Sequence, residues 1–313
     1  MTVRLAGIDV GGTFLKSVVM ESGGIVASDR RRVPDGDVLD FVATVGRELR
    51  DEAGVAAVGV GVAGLVTWPA GEFVWGPHVK GERMPIRDEL ARRLSLPVVV
   101  DNDANMAALA EARTGAGRDR DPLLMLTFGT GIGGGMVIDG EVFRGRSFAG
   151  EFGHMTMVQD GPPCSCGGRG CWETLASGAA LDDAARRIAR ADPAGRVARI
   201  AAGETPTGVH LTEAALAGDA AASGALETAG RWLGLGVVNL VVALDPAVVV
   251  VGGAMADAGE VLLGPVRSQV AGALPGARYR PQVPIVAAAH GVLAGAVGAA
   301  IAAGRSMGAE HDA

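Results

Sequence analysis

Residues 4–20, RLAGIDVGGTFLKSVVM, place one apolar stretch on each side of the pair Gly11-Gly12. Apolar and β-branched residues around a glycine turn are typical of a β-hairpin. Residues 123–145, LLMLTFGTGIGGGMVIDGEVFRG, repeat the same order of strand, glycine turn and strand. A chain whose two halves open on the same hairpin is typical of a duplicated domain. We therefore expect two related α/β units, each beginning with a glycine hairpin.

The two glycine turns are candidate phosphate sites. A turn of this kind exposes backbone N–H groups, which can face phosphate oxygens. Asp9 lies just before the first turn, and Thr130 adds a hydroxyl group to the second. One such turn is a weak signal, and Asp9 is equally consistent with a turn residue that has no other role. Two turns that face each other predict a site for a polyphosphate chain.

A short apolar run at 96–100 ends in the polar sequence DND at 101–103. Open α/β sheets bind their ligands at the carboxyl ends of the strands. A carboxylate at that point, such as Asp103, can accept a proton from a bound hydroxyl group. The alternative is that Asp103 caps the helix that we expect to start near Asn105, because Asp is a good N-cap.

Hydrophobic periodicity predicts most of the remaining elements. The predicted elements are strands over 24–32, 55–63 and 247–251, helices over 37–52, 88–94 and 225–244, and a helical region over 173–223 with breaks near 192–193 and 204–207. Residues 65–85 predict an irregular segment, which fits a pocket wall or a surface loop. Residues 211–215 are typical of a capped helix start, and Gly224 predicts a break in the helix.

The strand over 247–251 ends in Gly252-Gly253, and we expect another helix from Ala254. A helix that starts at glycines after a strand is a candidate anion or nucleotide site. The same arrangement also occurs for packing alone.

Residues 285–304 contain no charged residue, a length that could span a membrane. The stretch is mostly Ala and Gly and includes His290, so we expect a buried strand followed by a buried helix. Residues 305–313 are polar, and we expect a disordered tail.

Residues 147–174, SFAGEFGHMTMVQDGPPCSCGGRGCWET, contain all three cysteines of the chain, Cys164, Cys166 and Cys171. His154 precedes the first of them. Three thiolates and one imidazole make a complete tetrahedral zinc set, and four protein ligands leave no open position on the metal. The cluster predicts a structural zinc that holds this loop. The alternative is a loop with free thiols or one disulfide, although scattered cysteines rarely cluster beside a histidine.

Two acids, Glu151 and Glu173, flank the predicted zinc ligands. A structural zinc with four ligands does not need them. They are therefore free to face a substrate.

Length, charge and cysteine content limit the class of protein. A chain of 313 residues is long enough for two domains, which we expect at 1–117 and 118–289 on either side of the glycine- and charge-rich break at 114–122. The net charge is −7 and no basic run occurs, which argues against nucleic acid as a partner. We expect no signal peptide at the N-terminus and no membrane contact. Three reduced cysteines in a metal pattern favour a cytoplasmic protein.

Together these motifs resemble those of the ROK family of sugar kinases and sugar-responsive repressors, and within it the bacterial ATP-dependent glucokinases. The likeness covers nearly the whole chain. It rests on GIDVGGT at 7–13, NDAN at 102–105, TFGTGIGGG at 127–135, GEFGH at 150–154, CSCGGRGCWE at 164–173 and DPAVVVVGG at 245–253. The cysteine cluster combined with GEFGH is the most specific of these motifs.

The resemblance implies a fold of two actin-like, RNase H-like domains that flank a central cleft, with a structural zinc loop in the second. The helix over 290–304 would return to pack on the first domain. The implied activity is ATP-dependent phosphorylation of a hexose, most readily glucose, at its 6-hydroxyl group. Relatives form homodimers or homotetramers.

The resemblance also implies a role for each matching position. Asp103 would be the general base that accepts the proton of the sugar 6-hydroxyl group. The residues implied to bind the sugar are Gly64, Asn102, Asp103, Glu151, His154 and Glu173. The residues implied to bind Mg-ATP are Asp9, Gly11, Gly12, Thr13, Gly129, Thr130, Gly131, Gly252 and Gly253, with Asp9 near Mg²⁺. The implied ligands of Zn²⁺ are His154, Cys164, Cys166 and Cys171.

The chain departs from the usual family pattern at three places. Phe14 stands where Lys often follows GGT, Val66-Thr67 replaces Val-Asp, and Gly76-Pro77-His78 replaces Ala-Pro-Asn. The last change affects a loop that lines the sugar site. It keeps N-acetylmannosamine, N-acetylglucosamine, allose and fructose open as substrates.

Other functions also stay open at this point. Polyphosphate can fit the glycine turns in place of ATP. A non-catalytic sugar-sensing regulator is disfavoured because only six residues precede Gly7, too few for a DNA-binding helix-turn-helix. A zinc hydrolase is disfavoured because four protein ligands would block the metal.

Overall fold

The computed structural model describes residues 2–77 and 79–308. Two five-stranded sheets organise these residues. The strands of the first sheet are β1 (Arg4–Val10), β2 (Phe14–Glu21), β3 (Gly24–Arg32), β4 (Ala57–Val62) and β7 (Val98–Asn102). The strands of the second sheet are β8 (Leu123–Phe128), β9 (Ile132–Ile138), β10 (Glu141–Val142), β11 (Val248–Gly252) and β12 (Ile285–Ala287).

Both sheets have the same topology. The strand order is β3-β2-β1-β4-β7 in the first sheet and β10-β9-β8-β11-β12 in the second. In each sheet the first three strands along the chain pair antiparallel, and the other two pair parallel. The hairpins predicted at 4–20 and 123–145 are the opening strands of two matching sheets. The predicted α/β fold with two related units is confirmed.

Helices and a small ribbon complete the described part of the chain. The ribbon is formed by β5 (Leu65–Val66) and β6 (Phe73–Trp75). The helices are α1 (Val38–Ala53), α2 (Ile86–Leu94), α3 (Asp103–Arg113), α4 (Glu173–Ala176), α5 (Gly178–Ala191), α6 (Arg196–Ala201), α7 (Gly208–Leu216), α8 (Ala220–Leu244), α9 (Glu260–Ala273) and α10 (Ala294–Ser306). Short 3₁₀ turns lie at Phe152–His154, Ala254–Ala258, Ala277–Tyr279 and Gly291–Leu293.

Three helix predictions require correction. The helix expected from Ala254 begins only at Glu260, after a 3₁₀ turn at Ala254–Ala258. α7 begins at Gly208 and not near Leu211, because Thr207 and His210 form a capping box ahead of it. α8 continues through Gly224, where a break was expected. One glycine inside a helix costs only about 1 kcal/mol, and tertiary packing readily exceeds that. The buried face of α8 packs against α9 and supplies that packing.

Residues 65–85 are more regular than their composition predicts. Phe73 is fully buried, and its backbone exchanges hydrogen bonds of 2.9 and 2.8 Å with Met84. Burial of this aromatic ring holds the segment against the first core. Within the loop that departs from the family pattern, Pro77 lines the central cleft, whereas His78 lies outside the described residues.

The last helix packs on the first sheet, against β1 and β4. A Cβ atom on Gly7 would lie 1.8 Å from the carbonyl oxygen of Ala296, and one on Gly59 would lie 1.8 Å from that of Ala299. A side chain at either position would push the helix off the sheet. The contact therefore depends on glycine in both strands.

The uncharged stretch at 285–304 is β12 followed by most of α10, as expected. Among the described residues, no helix combines the length and the apolar character needed to cross a membrane. α10 continues to Ser306, so Arg305 and Ser306 belong to a helix and not to the predicted tail. Residues 309–313 lie outside the described residues.

Candidate active site

A cleft of about 810 Å³ is lined by both glycine hairpins and by the carboxyl end of β7. The predicted site residues that line it are Asp9, Gly11, Gly12, Thr13, Gly64, Asn102, Asp103, Gly129, Thr130, Gly131, Glu151, His154, Glu173 and Gly253. Gly252 is buried at the end of β11, where a Cβ atom would lie 2.8 Å from the terminal methyl group of Met125. Of that pair, Gly253 is the residue at the cleft.

The two turns differ in how they are held. In the first, the Gly11 N–H group donates to the carbonyl oxygen of Phe14 at 3.1 Å. In the second, the carbonyl oxygen of Gly129 accepts a bond of 2.7 Å from Gly178 at the start of α5. The start of a helix therefore fixes the second turn. A Cβ atom on Gly131 would lie 2.7 Å from Oε2 of Glu173, so this turn approaches Glu173 closely.

Asn102, and not Asp103, caps α3. Its side-chain oxygen accepts hydrogen bonds from the N–H groups of Ala104 at 2.8 Å and Asn105 at 3.0 Å. Its amide nitrogen donates to the carbonyl oxygen of Gly64 at 3.1 Å. The alternative in which Asp103 serves as the cap is therefore wrong. Asp103 is the first residue of the helix, and its carboxyl group lines the cleft.

The carboxyl group of Asp103 has a strongly altered acidity. Burial, together with the negative charges of Asp9 and Glu151, raises the pKa of Asp103 from 3.8 to about 7. A hydrogen bond from Ala104 and the positive charge of Lys16 oppose this shift. A carboxylate with a pKa near neutral pH is well matched to accept a proton.

The family resemblance implies that Asp103 is the general base, so we expect the implied kinase activity to rise with pH through about 7 as Asp103 loses its proton. Below that pH the carboxyl group is protonated and cannot act as a base. The measurement is kcat/KM against pH with both substrates well below saturation, because this parameter reports the pKa values of the free enzyme.

Glu151→Gln removes one of the charges that raise the pKa of Asp103. The rise of kcat/KM with pH, here called the acidic limb, should therefore move to lower pH. The exposed Glu204→Gln variant is the control and should leave the limb in place. An acidic limb that stays at the same pH in Glu151→Gln would contradict this electrostatic account.

Glu151, His154 and Glu173 form a compact group on one side of the cleft. His154 Nε2 lies 3.9 Å from Oε2 of Glu151, and His154 Nδ1 lies 3.5 Å from Oε1 of Glu173. Burial raises the pKa of Glu151; the nearby His154 opposes this effect and the charge of Glu173 adds to it. Two acids and one imidazole thus present several hydrogen-bonding atoms within a small volume.

The three cysteines and His154 have the spacing of a tetrahedral metal site. Zn–S bonds of about 2.3 Å and a Zn–N bond of about 2.0–2.1 Å separate two sulfurs by about 3.8 Å, and sulfur from nitrogen by about 3.6 Å. Here Cys166 and Cys171 Sγ atoms are 3.7 Å apart, and Cys164 Sγ is 3.6 Å from His154 Nδ1. All four donor atoms lie within 4.8 Å of one another. The donor set therefore fits zinc.

Comparison with known proteins places this architecture in a family. A family model described as the ROK family matches residues 5–305. The chain belongs to the ROK family. The family resemblance inferred from the motifs is thereby confirmed.

Individual ROK proteins match over most of the chain. A glucokinase of Streptomyces coelicolor is 37% identical over 302 residues, which cover 94% of this chain and 95% of that protein. A crystal structure of a ROK family glucokinase from Streptomyces griseus in complex with glucose and AMPPNP has a TM-score of 0.89 and 36% identity, and the match covers 96% of this chain and 99% of that one. A xylose repressor of Caldicellulosiruptor bescii is 32% identical over 277 residues, which cover 85% of this chain and 69% of that protein.

Two further groups in or beside the cleft of this ROK protein were not found from its sequence. The first is the buried Asp101, whose Oδ2 accepts a bond of 2.7 Å from Arg144 Nε. The Arg144 guanidinium also stacks 3.7 Å from the ring centre of Trp68. These contacts join the two units of the chain beside Asn102. An isolated arginine far along the sequence carries no signal that predicts them.

The second group is Lys16, whose Nζ lies 2.5 Å from Oδ2 of Asp9 in the cleft. Side chains two residues apart on a strand lie on the same face. The alternation of β2 could therefore have placed Lys16 beside Phe14, with Leu15 buried on the other face.

Proposed function

We propose that this chain is an ATP-dependent glucokinase, which transfers the γ-phosphoryl group of Mg-ATP to the 6-hydroxyl group of glucose. The observation that carries the proposal is that a single cleft is lined by Asp103, by both glycine turns and by the group of Glu151, His154 and Glu173. Similarity to the Streptomyces griseus glucokinase, whose crystal holds glucose and the ATP analogue AMPPNP, supports this assignment of ligands.

Phosphoryl transfer needs alignment and charge neutralisation more than covalent help from the protein. In the proposed reaction the sugar O6 attacks the γ-phosphorus while the Asp103 carboxylate accepts the O6 proton. The pKa of about 7 suits Asp103 to this role, since the base can both ionise and bind a proton near neutral pH. Closure of the two domains would align the substrates and exclude water, which is the competing acceptor.

The sugar hydroxyl groups are proposed to bind to Gly64, Asn102, Glu151, His154 and Glu173. Hydrogen bonds to charged groups each contribute roughly 1.5–3 kcal/mol. The amide of Asn102 holds the Gly64 carbonyl in place, so these two residues act together. An epimer that leaves one acid unpaired in a closed cleft would lose that bond and leave a desolvated charge.

The phosphates are proposed to bind to the turns at Gly11–Thr13 and Gly129–Gly131, with the adenosine beside Gly253. Asp9 offers a carboxylate in the same cleft, and carboxylate oxygens are ligands that Mg²⁺ accepts. Asp9 would hold the magnesium of Mg-ATP, which neutralises phosphate charge when bound.

His154, Cys164, Cys166 and Cys171 would hold a zinc ion. Bound there, zinc supplies no activated water, because four protein ligands fill its coordination. Its effect would be to fix the direction of His154 and of the loop that carries both acids. His154 faces the cysteines through Nδ1 and Glu151 through Nε2, so one ring can serve the metal and the sugar site.

The proposal includes the expected organisation of the protein. The domains would comprise 1–117 with the helix over 290–304, and 118–289, closing on the cleft. A cytoplasmic homodimer or homotetramer remains the expected form, with neither nucleic acid nor membrane as a partner.

The test is a panel of sugars with Mg-ATP, in which ADP formation and sugar phosphate are both measured. We expect glucose to have the highest kcat/KM, with turnover on the order of 1–100 per second, as is usual for kinases. N-acetylglucosamine, N-acetylmannosamine, allose and fructose test the altered loop at 76–78. Preference for one of these would replace glucose as the substrate while keeping the reaction.

A sugar-binding regulator is the second candidate, because a repressor is 32% identical to this chain. A regulator would bind a sugar in a titration without forming ADP or sugar phosphate. The same assay with inorganic polyphosphate in place of ATP tests which compound donates the phosphoryl group. Sugar phosphate formed from polyphosphate would show that the protein uses it as a second donor.

A further inference from the structure

Lys16 places a positive charge at the point where the phosphates are expected to bind. It lies on β2, three residues after the turn at Gly11–Thr13, and its side chain lines the cleft. Leu15 and Ser17, on either side of it, are buried, so the strand directs Phe14 and Lys16 to the same, open face. The Phe14 ring itself carries no charge, but the Arg30 guanidinium stacks 3.7 Å from its centre and also lines the cleft.

Lysine is rare in this chain. Of 28 basic residues only Lys16 and Lys80 are lysines. Lys80 is exposed. An ammonium group is a compact point charge on a flexible stem, whereas guanidinium is a planar fork suited to fixed partners. Lys16 is therefore the one lysine that lines the cleft, where it offers a compact charge beside the guanidinium of Arg30.

Asp9 holds the Lys16 ammonium group in the cleft. The ion pair measures 2.5 Å, and the side chains of Lys16 and Asp9 are 23% and 9% exposed. The pair keeps the long lysine side chain extended toward the site rather than toward solvent. A partly exposed charge beside a buried acid can still approach an anionic ligand.

We propose that Lys16 is a further catalytic residue, whose ammonium group contacts the γ-phosphoryl group of ATP during its transfer to the sugar. This inference rests on the proposed kinase function. As the O6–P bond forms, the bond from phosphorus to the β-phosphate oxygen breaks, and ADP leaves with that electron pair. The O6 proton passes to Asp103, and Lys16 takes no part in the proton transfer. A cation fixed beside developing phosphoryl charge stabilises the transition state more than the ground state.

A purely structural role is the competing explanation, in which Lys16 only neutralises Asp9. That role predicts lower stability and weaker binding of every ligand when Lys16 is replaced. A catalytic role predicts loss in the transition state alone.

The experiment compares Lys16→Met, Lys16→Gln and the control Lys80→Met. We expect Lys16→Met to lower kcat about 10²–10³-fold, the range found when one donor to a developing oxyanion is removed. The sugar KM and the MgADP affinity should stay within about threefold of wild type, because ground-state binding is unaffected. Lys80→Met should match wild type.

Binding of MgADP with aluminium fluoride and glucose, which imitates the transferring phosphoryl group, supplies a readout without turnover. Its affinity should fall in Lys16→Met and Lys16→Gln by about the same factor as kcat, because both depend on the transition-state contact. Lys16→Gln keeps an amide donor for Asp9, so it covers the case in which Lys16→Met does not fold.

If the wild-type protein phosphorylates a sugar and both Lys16 variants keep a near-normal kcat, the role of Lys16 is overturned and the kinase proposal stays intact. Equal losses of sugar, MgADP and fluoride-complex affinity would overturn it in favour of the structural role. A wild-type protein that phosphorylates none of the sugars would overturn the kinase proposal and this inference together.

Discussion

Asp103→Asn is expected to lower kcat by about 10²–10⁴, the usual contribution of a general base, while sugar affinity stays close to wild type. The amide has nearly the same shape as the carboxyl group, and its oxygen can still accept the bond that Ala104 donates to Asp103 at 2.9 Å. It cannot accept a proton from the sugar. Steady-state kinetics and a sugar titration of the same preparation would measure the two effects.

Asp119→Asn is a matched control, because its side chain is 91% exposed. We expect its kinetics to equal those of wild type. Turnover of Asp103→Asn within about threefold of wild type would exclude Asp103 as the base, since a lost base costs far more.

The same variant should change how stability depends on pH. The folded state raises the pKa of Asp103 above its ordinary value of 3.8, to about 7. The folded protein therefore prefers the protonated form, and wild type loses stability as pH rises between these two values. Asp103→Asn has no such loss, so its melting temperature relative to wild type should be higher at pH 8 than at pH 5.

Cys166→Ser is expected to abolish zinc binding and, with it, to weaken sugar binding by at least about tenfold. Serine is not ionised at neutral pH and does not replace a thiolate ligand. The four-ligand site can contribute on the order of 10 kcal/mol to local folding, so the loop should lose its order without the metal. Elemental analysis and a glucose titration would measure both losses, and a chelator should reproduce them in wild type.

Ser165→Ala is the control in the same loop, since Ser165 is exposed and has no ligand role. It should retain one zinc per chain and normal affinity. Metal-free Cys166→Ser protein that binds glucose as tightly as wild type would show that the metal does not position Glu151, His154 and Glu173.

Local sequence patterns predicted the parts of this protein that depend on neighbours in the chain. The glycine hairpins at 4–20 and 123–145 follow from apolar and β-branched residues around a glycine turn, and the candidate metal-binding group follows from a dense cluster of cysteines beside a histidine. The break predicted at Gly224 was wrong because contacts between residues distant in sequence outweighed a local preference. The cost of one glycine is local and small, whereas the packing of α8 on α9 involves residues distant in sequence.

The sequence by itself determined the two-unit α/β plan, the candidate metal-binding group of His154 and three cysteines, and the residues expected at the cleft, because repeated patterns and unusual residue types are visible without coordinates. Only the tertiary structure decided that Asn102 caps α3, leaving the Asp103 carboxyl group at the cleft, that Arg144 reaches Asp101, and that Lys16 pairs with Asp9 beside the first glycine turn. Charge pairs and pKa shifts arise from burial and from approaches across the fold. Those quantities exist only once the two sheets are brought together.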